Sequence, residues 1–328
     1  MSKLAFSADD LALTRFAISP MWEVVTSFRL LTGGSAHPVH RNWLEQVRPR
    51  VTAAGLDTGW LAELIPPTGY LPDFLTPPPC EPTPALATEL IALRATPADQ
   101  VQADLDVLGR TGPRCQALYT DPDGRLRRLA EEIEAYWEVA LAPYWARIRA
   151  LLEADVFHRA RQVAEHGAGH LFNELHSTLN WDDNTLQLVR GQCDLSREAT
   201  GPGLLLVPSA FAAHVLTWSR PPHLPQLGYP ARGIGTLWEH HPVARAEAIA
   251  AVIGRSRTLL LSELVAPAST TELARRTGIS AAGVSQHLTA LRDAGMVSTH
   301  RAGRSVLYAR TAVAESLLAG GQTQQKGR

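Results

Sequence analysis

The residues most able to do chemistry are histidines and acids that crowd into one segment of the chain. His166 and His170 are spaced i, i+4, which would present two imidazoles to one metal ion if the segment were helical. Gly167 and Gly169 make a regular helix unfavourable there, and the order is not the His-Glu-x-x-His of a zinc protease. We therefore interpret the group as ordinary polar side chains, with a metal site as the alternative. Its members are His158, Glu165, His166, His170, Glu174 and His176.

The cysteines and the remaining catalytic patterns do not indicate an enzyme. Cys80, Cys115 and Cys193 lie far apart in sequence, and three cysteines cannot all form disulfides. A redox switch between distant thiols is the alternative to buried, unreactive ones. The sequence contains no Gly-rich phosphate loop and no Gly-x-Ser-x-Gly nucleophile elbow. We predict a protein that is not an enzyme and that uses no cofactor.

The stretch up to about residue 166 is predicted to be mainly helical. Ser19-Pro20 supplies an N-cap and a proline in the first turn, so a helix is expected over 21–32. Thr83-Pro84 and Thr96-Pro97 repeat this signal before predicted helices at 85–95 and 98–108. The prolines between Pro66 and Pro84 predict an extended surface connection between these helices.

The middle of the chain is predicted to combine helices with a small sheet. A long apolar-periodic helix over 126–163 should bend or break at Pro143. After Gly167, short β-prone runs at 185–190 and 204–207 predict strands. The expected fold class is therefore mainly α with small β elements (α+β), in which a helical N-terminal domain with an α+β part precedes a different C-terminal domain.

Two short helices joined by a tight turn are predicted in the C-terminal region. Ser269 and Glu272 have the spacing of a capping box that opens a helix over 270–277, which stops at Gly278. Ser280 can cap a second helix over 281–294. In it Val284, Leu288 and Leu291 fall at i, i+4 and i+7, on one apolar face. The pattern is typical of a helix-turn-helix, whose second helix enters the major groove of DNA.

A β-hairpin is predicted directly after these helices. The β-prone runs 296–301 and 305–310 flank a turn at Ala302-Gly303-Arg304, and a closing helix follows over 311–318. Arg301 and Arg304 lie near the hairpin tip, where they would meet phosphate or a minor groove. Helices at 243–253 and 257–265 should complete a winged helix-turn-helix.

The charge is unevenly distributed along the chain. From Val243 onward eleven Lys or Arg residues stand against five acids, a net charge of +6, whereas the first 242 residues carry −7. A basic C-terminal segment on an acidic protein indicates a polyanionic partner for that segment alone.

The C-terminal motif resembles the winged helix-turn-helix of ArsR-family transcriptional regulators. The closest pieces are Val284-Ser-Gln-His-Leu288 and Leu291-Arg-Asp-Ala-Gly-Met-Val297. Three upstream pieces resemble a large N-terminal domain of some longer ArsR-like proteins, to which no function attaches. They are Arg15-Phe-Ala-Ile-Ser-Pro20, Leu206-Val-Pro-Ser-Ala-Phe211 and Tyr229-Pro-Ala-Arg-Gly233.

The resemblance implies a homodimer that binds double-stranded DNA at an inverted-repeat operator. Two half-sites are also expected because one winged domain offers a single short recognition helix. The predicted DNA-binding residues are Thr270, Thr271, Arg275, Ser280, Ala281, Ala282, Gly283, Ser285, Gln286, His287, Arg292, Arg301 and Arg304.

One departure from the family concerns metal sensing. Many ArsR-like proteins bind soft cations through a Cys-x-Cys on the helix before the recognition helix. Here those positions read Ser269-Thr-Thr-Glu272, and the closing helix offers only Glu315 as a ligand. We therefore expect no metal in this domain.

These observations predict a homodimeric DNA-binding transcriptional regulator, most simply a repressor. Its predicted domains are an effector or association domain at 1–240 (helical to about 166, α+β at about 167–240), the winged domain at 243–318 and a flexible tail at 319–328. A small-molecule effector would bind the N-terminal domain. The alternatives are an enzyme or metal-binding domain fused to a DNA-binding module, and an N-terminal domain that only sets dimer geometry. A cytoplasmic location without membrane contact is expected, since no run reaches the ~18 apolar residues of a membrane span and the first ten residues do not resemble a signal peptide.

Overall fold

The computed structural model describes residues 2–5, 11–33, 38–182, 185–188, 196–197, 203–218, 224–238, 249–302 and 305–319. Two compact units divide the chain. Unit 1 comprises Met1–Ala135 and Leu151–Ile234, and unit 2 comprises Tyr136–Ala150 and Gly235–Arg328. Within the described ranges, no helix is long and apolar enough to cross a membrane.

Helices dominate the first half of the chain, as predicted. The long helical stretch breaks at Pro143, where a short 3-10 helix separates two α-helices. From the N-terminus the helices are α1 (Pro20–Thr32), α2 (Arg41–Ala53), α3 (Trp60–Leu64), α4 (Leu86–Arg94), α5 (Ala98–Leu108), α6 (Pro113–Thr120), α7 (Pro122–Ala140), α8 (Trp145–His166) and α9 (Ala168–Leu175).

The predicted caps are correct for α1 and wrong for α4 and α5. The Ser19 hydroxyl accepts the N–H of Trp22 at 3.2 Å, which satisfies one of the free donors of α1. Neither Thr83 nor Thr96 caps a helix. Pro97, whose ψ is 143°, is itself the N-cap of α5, which begins at Ala98 as predicted. Ala85 is the N-cap of α4, without a side-chain hydrogen bond.

Unit 1 contains two four-stranded sheets. One has the order β3-β4-β1-β5 and the other β2-β6-β8-β7. Two of their strands lie before α1, in a stretch predicted to be helical. So short a strand is stable only with its neighbours, and these lie about 180 residues away. The strands are β1 (Ser2–Ala5), β2 (Arg15–Phe16), β3 (Leu179–Asp182), β4 (Thr185–Leu188), β5 (Ser196–Arg197), β6 (Leu205–Ser209), β7 (Leu216–Trp218) and β8 (Gln226–Pro230).

The second sheet is covered on both faces. β6 and β8 pair in parallel, and every residue of β6 is buried, as expected for a strand between two layers. Leu205 and Val207 pack with Trp22 of α1, whereas Leu206 packs with Phe172 of α9. The Trp22 ring lies so close to β8 that a Cβ on Gly228 would overlap with it.

Unit 2 contains the predicted winged arrangement. Residues 249–253 are helical and precede α10 (Arg255–Glu263). The rest consists of α11 (Thr270–Thr277), α12 (Ala281–Asp293), β9 (Val297–Ala302), β10 (Ser305–Arg310) and α13 (Ala312–Ala319). The helices with small sheets confirm the predicted fold class. Residues 243–248 and the tail from 320 onward lie outside the described residues.

Two carboxyl groups are buried at the start of α1. Glu23 is fully buried, and both of its oxygens accept the N–H of Ala210, at 3.1 and 3.2 Å. Glu89 accepts the Ser19 hydroxyl at 2.6 Å and the Met21 N–H at 2.9 Å. Burial raises the pKa of Glu23 to about 8 and that of Glu89 to about 7, although these hydrogen bonds act in the opposite direction.

These two pKa values predict that unit 1 loses stability as the pH rises. At a pH between the usual carboxyl pKa and the raised pKa, each of these carboxyl groups is protonated in the folded state and ionised in the unfolded state. The free energy of unfolding should therefore fall by up to about 1.4 kcal/mol per pH unit for each group. This stability is complete below about pH 4 and lost as the pH passes about 7 and 8. Glu23→Gln should remove the fall in the free energy of unfolding that extends to about pH 8. The measurement is denaturant unfolding of both proteins from pH 5 to 9. An unchanged slope in that variant would contradict the assignment.

Candidate nucleic-acid interface

The helix-turn-helix is formed by local capping contacts. The Ser269 hydroxyl accepts the N–H of Glu272 at 3.3 Å, and α11 ends at Gly278, whose φ of 73° suits a residue without a side chain. The Ser280 hydroxyl then accepts the N–H of Gly283 at 3.2 Å and opens α12. Both helices lie where the sequence predicts them. The Glu272 carboxylate pairs with Arg276 one turn along α11.

The rotation of α12 follows from which side chains it buries. Val284, Leu288 and Leu291 are at most 2% exposed and lie in one apolar cluster with Leu273 of α11. Since successive helical residues are 100° apart, this packing directs other positions outward. The exposed predicted DNA-binding residues on the two helices are Thr271, Arg275, Ser280, Ala281, Ala282, Ser285, Gln286 and Arg292, whereas Thr270, Gly283 and His287 are half-buried.

Those predicted site residues that the structure describes fall into three places. Most lie on α11 and the first half of α12. Arg292 lies about 16 Å farther along the axis of α12 than Ala281, and its guanidinium contacts the Asp293 carboxylate at 3.1 Å. Arg301 is exposed on β9. Arg304, at the predicted wing tip, lies outside the described residues.

The wing is a regular antiparallel hairpin. Ala302 of β9 faces Ser305 of β10, and the pairing continues to Val297 and Arg310. Ala268 extends the pairing, because it exchanges two backbone hydrogen bonds with Tyr308 at 3.1 and 2.9 Å. The segment before α11 is thereby fixed to the wing.

A buried ion network, not predicted from sequence, holds the wing and α13. Arg310 of β10 donates from Nε to the Leu261 carbonyl at 2.6 Å and from Nη2 to the Ser262 carbonyl at 2.9 Å, near the end of α10. The Glu315 carboxylate of α13 lies 3.6 Å from Arg310 Nη1 and 3.0 Å from Arg147 Nη2. Burial lowers the pKa of Arg310 to about 10, so it remains a cation at neutral pH. In the sequence analysis Glu315 is the one potential metal ligand on the closing helix. In the structure its carboxylate contacts two arginines.

The histidine segment and the cysteines lie in unit 1. α8 ends at His166, Gly167 has a φ of 84°, and α9 begins at Ala168, so no continuous helix carries both His166 and His170. Their rings are 4.8 Å apart. Across the described ranges, no three His, Cys, Asp or Glu residues are grouped as metal ligands would be. Cys80 is exposed and Cys115 buried, and Cys193 lies outside the described residues.

The ion network predicts a local stability effect in the wing. Glu315→Ala would leave the buried guanidinium of Arg310 and the half-buried guanidinium of Arg147 without their carboxylate, which costs about 3 kcal/mol in comparable sites. We expect the amides of β9 and β10 to exchange hydrogen on the order of 100-fold faster in this variant. Asp293→Ala removes the acid of an exposed pair and should change the exchange less than about fivefold. Equal effects of the two substitutions would exclude a stabilising role for the network.

One comparison with known proteins bears on this unit. Residues 258–299 match the family model described as "Bacterial regulatory protein, arsR family". The match extends from α10 through both helices of the helix-turn-helix into β9. No curated protein and no solved structure matches the chain. The resemblance predicted from sequence is confirmed: residues 258–299 form a helix-turn-helix of the arsR family of bacterial regulatory proteins, the DNA-binding domain of a transcriptional regulator.

Proposed function

We propose that the protein is a homodimeric repressor that binds double-stranded DNA at an inverted repeat. The observation that carries the proposal is the packing of α12, which buries its apolar face and leaves Ser285 and Gln286 exposed within an arsR-family domain. A dimer bound across a promoter would exclude the transcription machinery, which is the simplest mode of action for such a module.

The recognition surface is built from α11, α12 and the wing. Ala281, Ala282 and Gly283 permit close approach to the DNA, and Ser285 and Gln286 supply polar groups for base edges. Phosphate contacts come from backbone and side-chain donors near the helix ends and from the arginines. The full proposed set is Thr270, Thr271, Arg275, Ser280, Ala281, Ala282, Gly283, Ser285, Gln286, His287, Arg292, Arg301 and Arg304.

A homodimer is supported by geometry and by exposed apolar side chains. One recognition helix reads only a few base pairs, so operator affinity requires a second one. Val252 is 82% exposed and Val313 57% exposed, on the helical residues 249–253 and on α13. Such side chains on the first and last helices of a winged unit suit a contact with a second copy.

The signal that controls DNA binding is proposed to be a small molecule and not a metal. No sulfur ligand is present from Ser269 to Glu272, and the Glu315 carboxylate is paired with Arg147 and Arg310. The N-terminal part, larger than dimerisation requires, would bind the effector without catalysing a reaction. A regulator that acts on DNA in this way would work in the cytoplasm.

Salt dependence is the first test of the proposed function. If a dimer neutralises about 6–10 phosphates, its affinity for operator DNA should fall on the order of 10³–10⁵-fold between 50 and 200 mM salt. The operator can be isolated by selection from random duplexes, and affinity then measured by fluorescence anisotropy on operator and scrambled duplexes. Equal affinity for all sequences, or a flat salt response, would contradict the proposal.

Substitutions on α12 and in the wing separate base recognition from phosphate contact. Gln286→Ala should cost about 1–3 kcal/mol on the selected operator and relax discrimination at one base pair per half-site, because glutamine can pair bidentately with adenine. Gln116→Ala makes the same change at an exposed position of α6 and should leave binding unchanged. Arg304→Ala should weaken binding to all sequences alike and lower the salt slope by about one per lost contact. The roles would be reversed if Gln286→Ala acted uniformly and Arg304→Ala changed base preference.

A further inference from the structure

The part of α8 that belongs to unit 1 has an exposed face with an aromatic side chain at its centre. Phe157 is 74% exposed, and no aromatic side chain whose exposure the structure describes is more exposed. The opposite face of the helix is buried, since Leu152, Asp155 and Arg159 are at most 3% exposed. A single apolar side chain in water is common, so the significance of Phe157 depends on the residues around it.

The neighbours of Phe157 on this face are small or charged. Because successive helical residues are 100° apart, positions three, four and seven residues away lie on the same side of the helix. All of these neighbours in unit 1 are exposed: Glu153, Ala154, Ala160, Arg161 and Ala164. The three alanines leave room beside the Phe157 ring for the close approach of another helix.

The face is arranged symmetrically about Phe157, except for the sign of two charges. Ala154 and Ala160 lie three residues before and after it. Glu153 and Arg161 lie four residues before and after it. With a rise of 1.5 Å per residue, each charge is about 6 Å from Phe157 along the helix axis. Such a face is complementary to a second copy of itself.

The charges select an antiparallel arrangement of the two copies. In a two-fold contact centred on Phe157, Glu153 of each copy lies level with Arg161 of the other, and two pairs of opposite charge result. In a parallel contact Glu153 would lie level with Glu153 and Arg161 with Arg161, which is unfavourable. Two-fold contacts, in which the same patch of both subunits meets, are the commonest in homo-oligomers.

Both charged side chains keep their contacts within one copy. Nε of Arg161 lies 2.7 Å from the Glu165 carboxylate one turn along α8, and Glu153 also has an interaction of its own. The side chains of Arg161 and Glu153 are nevertheless exposed. A guanidinium has five N–H donors and a carboxylate about four acceptor positions, so each can add a second partner and retain the first.

We propose that α8 packs against α8 of a second copy of the chain, antiparallel and centred on Phe157. One helix face buries less than the roughly 800 Å² per partner of a stable complex, so we expect a dissociation constant no tighter than micromolar. The contact does not rest on the proposed function, because it requires neither DNA nor the exposed valines of the winged unit.

The test is disulfide formation by the Phe157→Cys variant of the full chain, under mild oxidation and without DNA. At the centre of a two-fold contact a residue meets its own counterpart, so the two introduced thiols should link. Ile91→Cys changes an exposed apolar residue of α4 and should link at least about tenfold less. Mass spectrometry of the linked peptides separates these products from those of the exposed native Cys80. Equal yields from the two variants, or no link in Phe157→Cys, would overturn the proposal.

Charge reversal tests the pairing itself. In the Phe157→Cys chain, Glu153→Arg makes both charged positions positive and Arg161→Glu makes both negative, so each variant alone should link about fivefold less. A mixture of the two variants restores opposite charges and should form mixed disulfides at the original yield. Glu134→Arg, at an exposed residue of α7, should leave the yield unchanged.

The mixed disulfides are distinguished by the different masses of their two peptides. A mixture that links no better than either variant alone would overturn the antiparallel pairing. Because no DNA is present, failure here is distinct from failure of the operator experiments.

Discussion

Burial of Val284, Leu288 and Leu291 against the core of unit 2 sets the rotation of α12 about its own axis, and the proposed interface depends on that rotation. Successive residues of an α-helix are 100° apart, so three buried positions fix the directions in which the other side chains project. Ser285 and Gln286 are exposed as a direct consequence. Rotation of α12 about its axis by one residue, about 100°, would bury the polar positions and expose the leucines. The lost apolar burial would cost several kcal/mol of stability, at about 25 cal/mol per Å². The packing that stabilises the unit also selects the surface proposed to bind DNA.

The wing is held by a different kind of contact. β9 and β10 form a two-stranded hairpin, which is marginal in water without further support. Arg310 supplies that support, because its guanidinium reaches the last carbonyls of α10 and the carboxylate of Glu315. A cation near a helix C-terminus also interacts favourably with the helix dipole. The hairpin is thus fixed through β10, while Arg301 on β9 remains exposed.

Unit 1 combines a tightly packed sheet with polar groups that the fold has to neutralise. Gly228 is required on β8 because the Trp22 ring occupies the space of its side chain. The same indole donates to the amide oxygen of Gln226 on β8, so the packing of α1 also fixes the orientation of a buried polar side chain. Glu23, one residue farther along α1, is buried beside the N–H of Ala210, and burial raises its pKa to about 8. Both contacts follow from the packing of α1 against the second sheet.

The amino-acid sequence by itself determined the features whose causes are local. The local signals are the capping serines, Gly278 and the i, i+4, i+7 spacing of apolar residues, all of which act within one or two helical turns. They predict the boundaries of α11, α12 and the strands of the wing to within about two residues. Only the tertiary structure decided the contacts between distant residues: the pairing of Arg147 with Glu315, the burial of Glu23 against Ala210, and the partners of the first two strands. No local pattern distinguishes an arginine that will be buried from one that stays in water. The energy of such a pair arises only when the fold brings both partners together and removes the solvent.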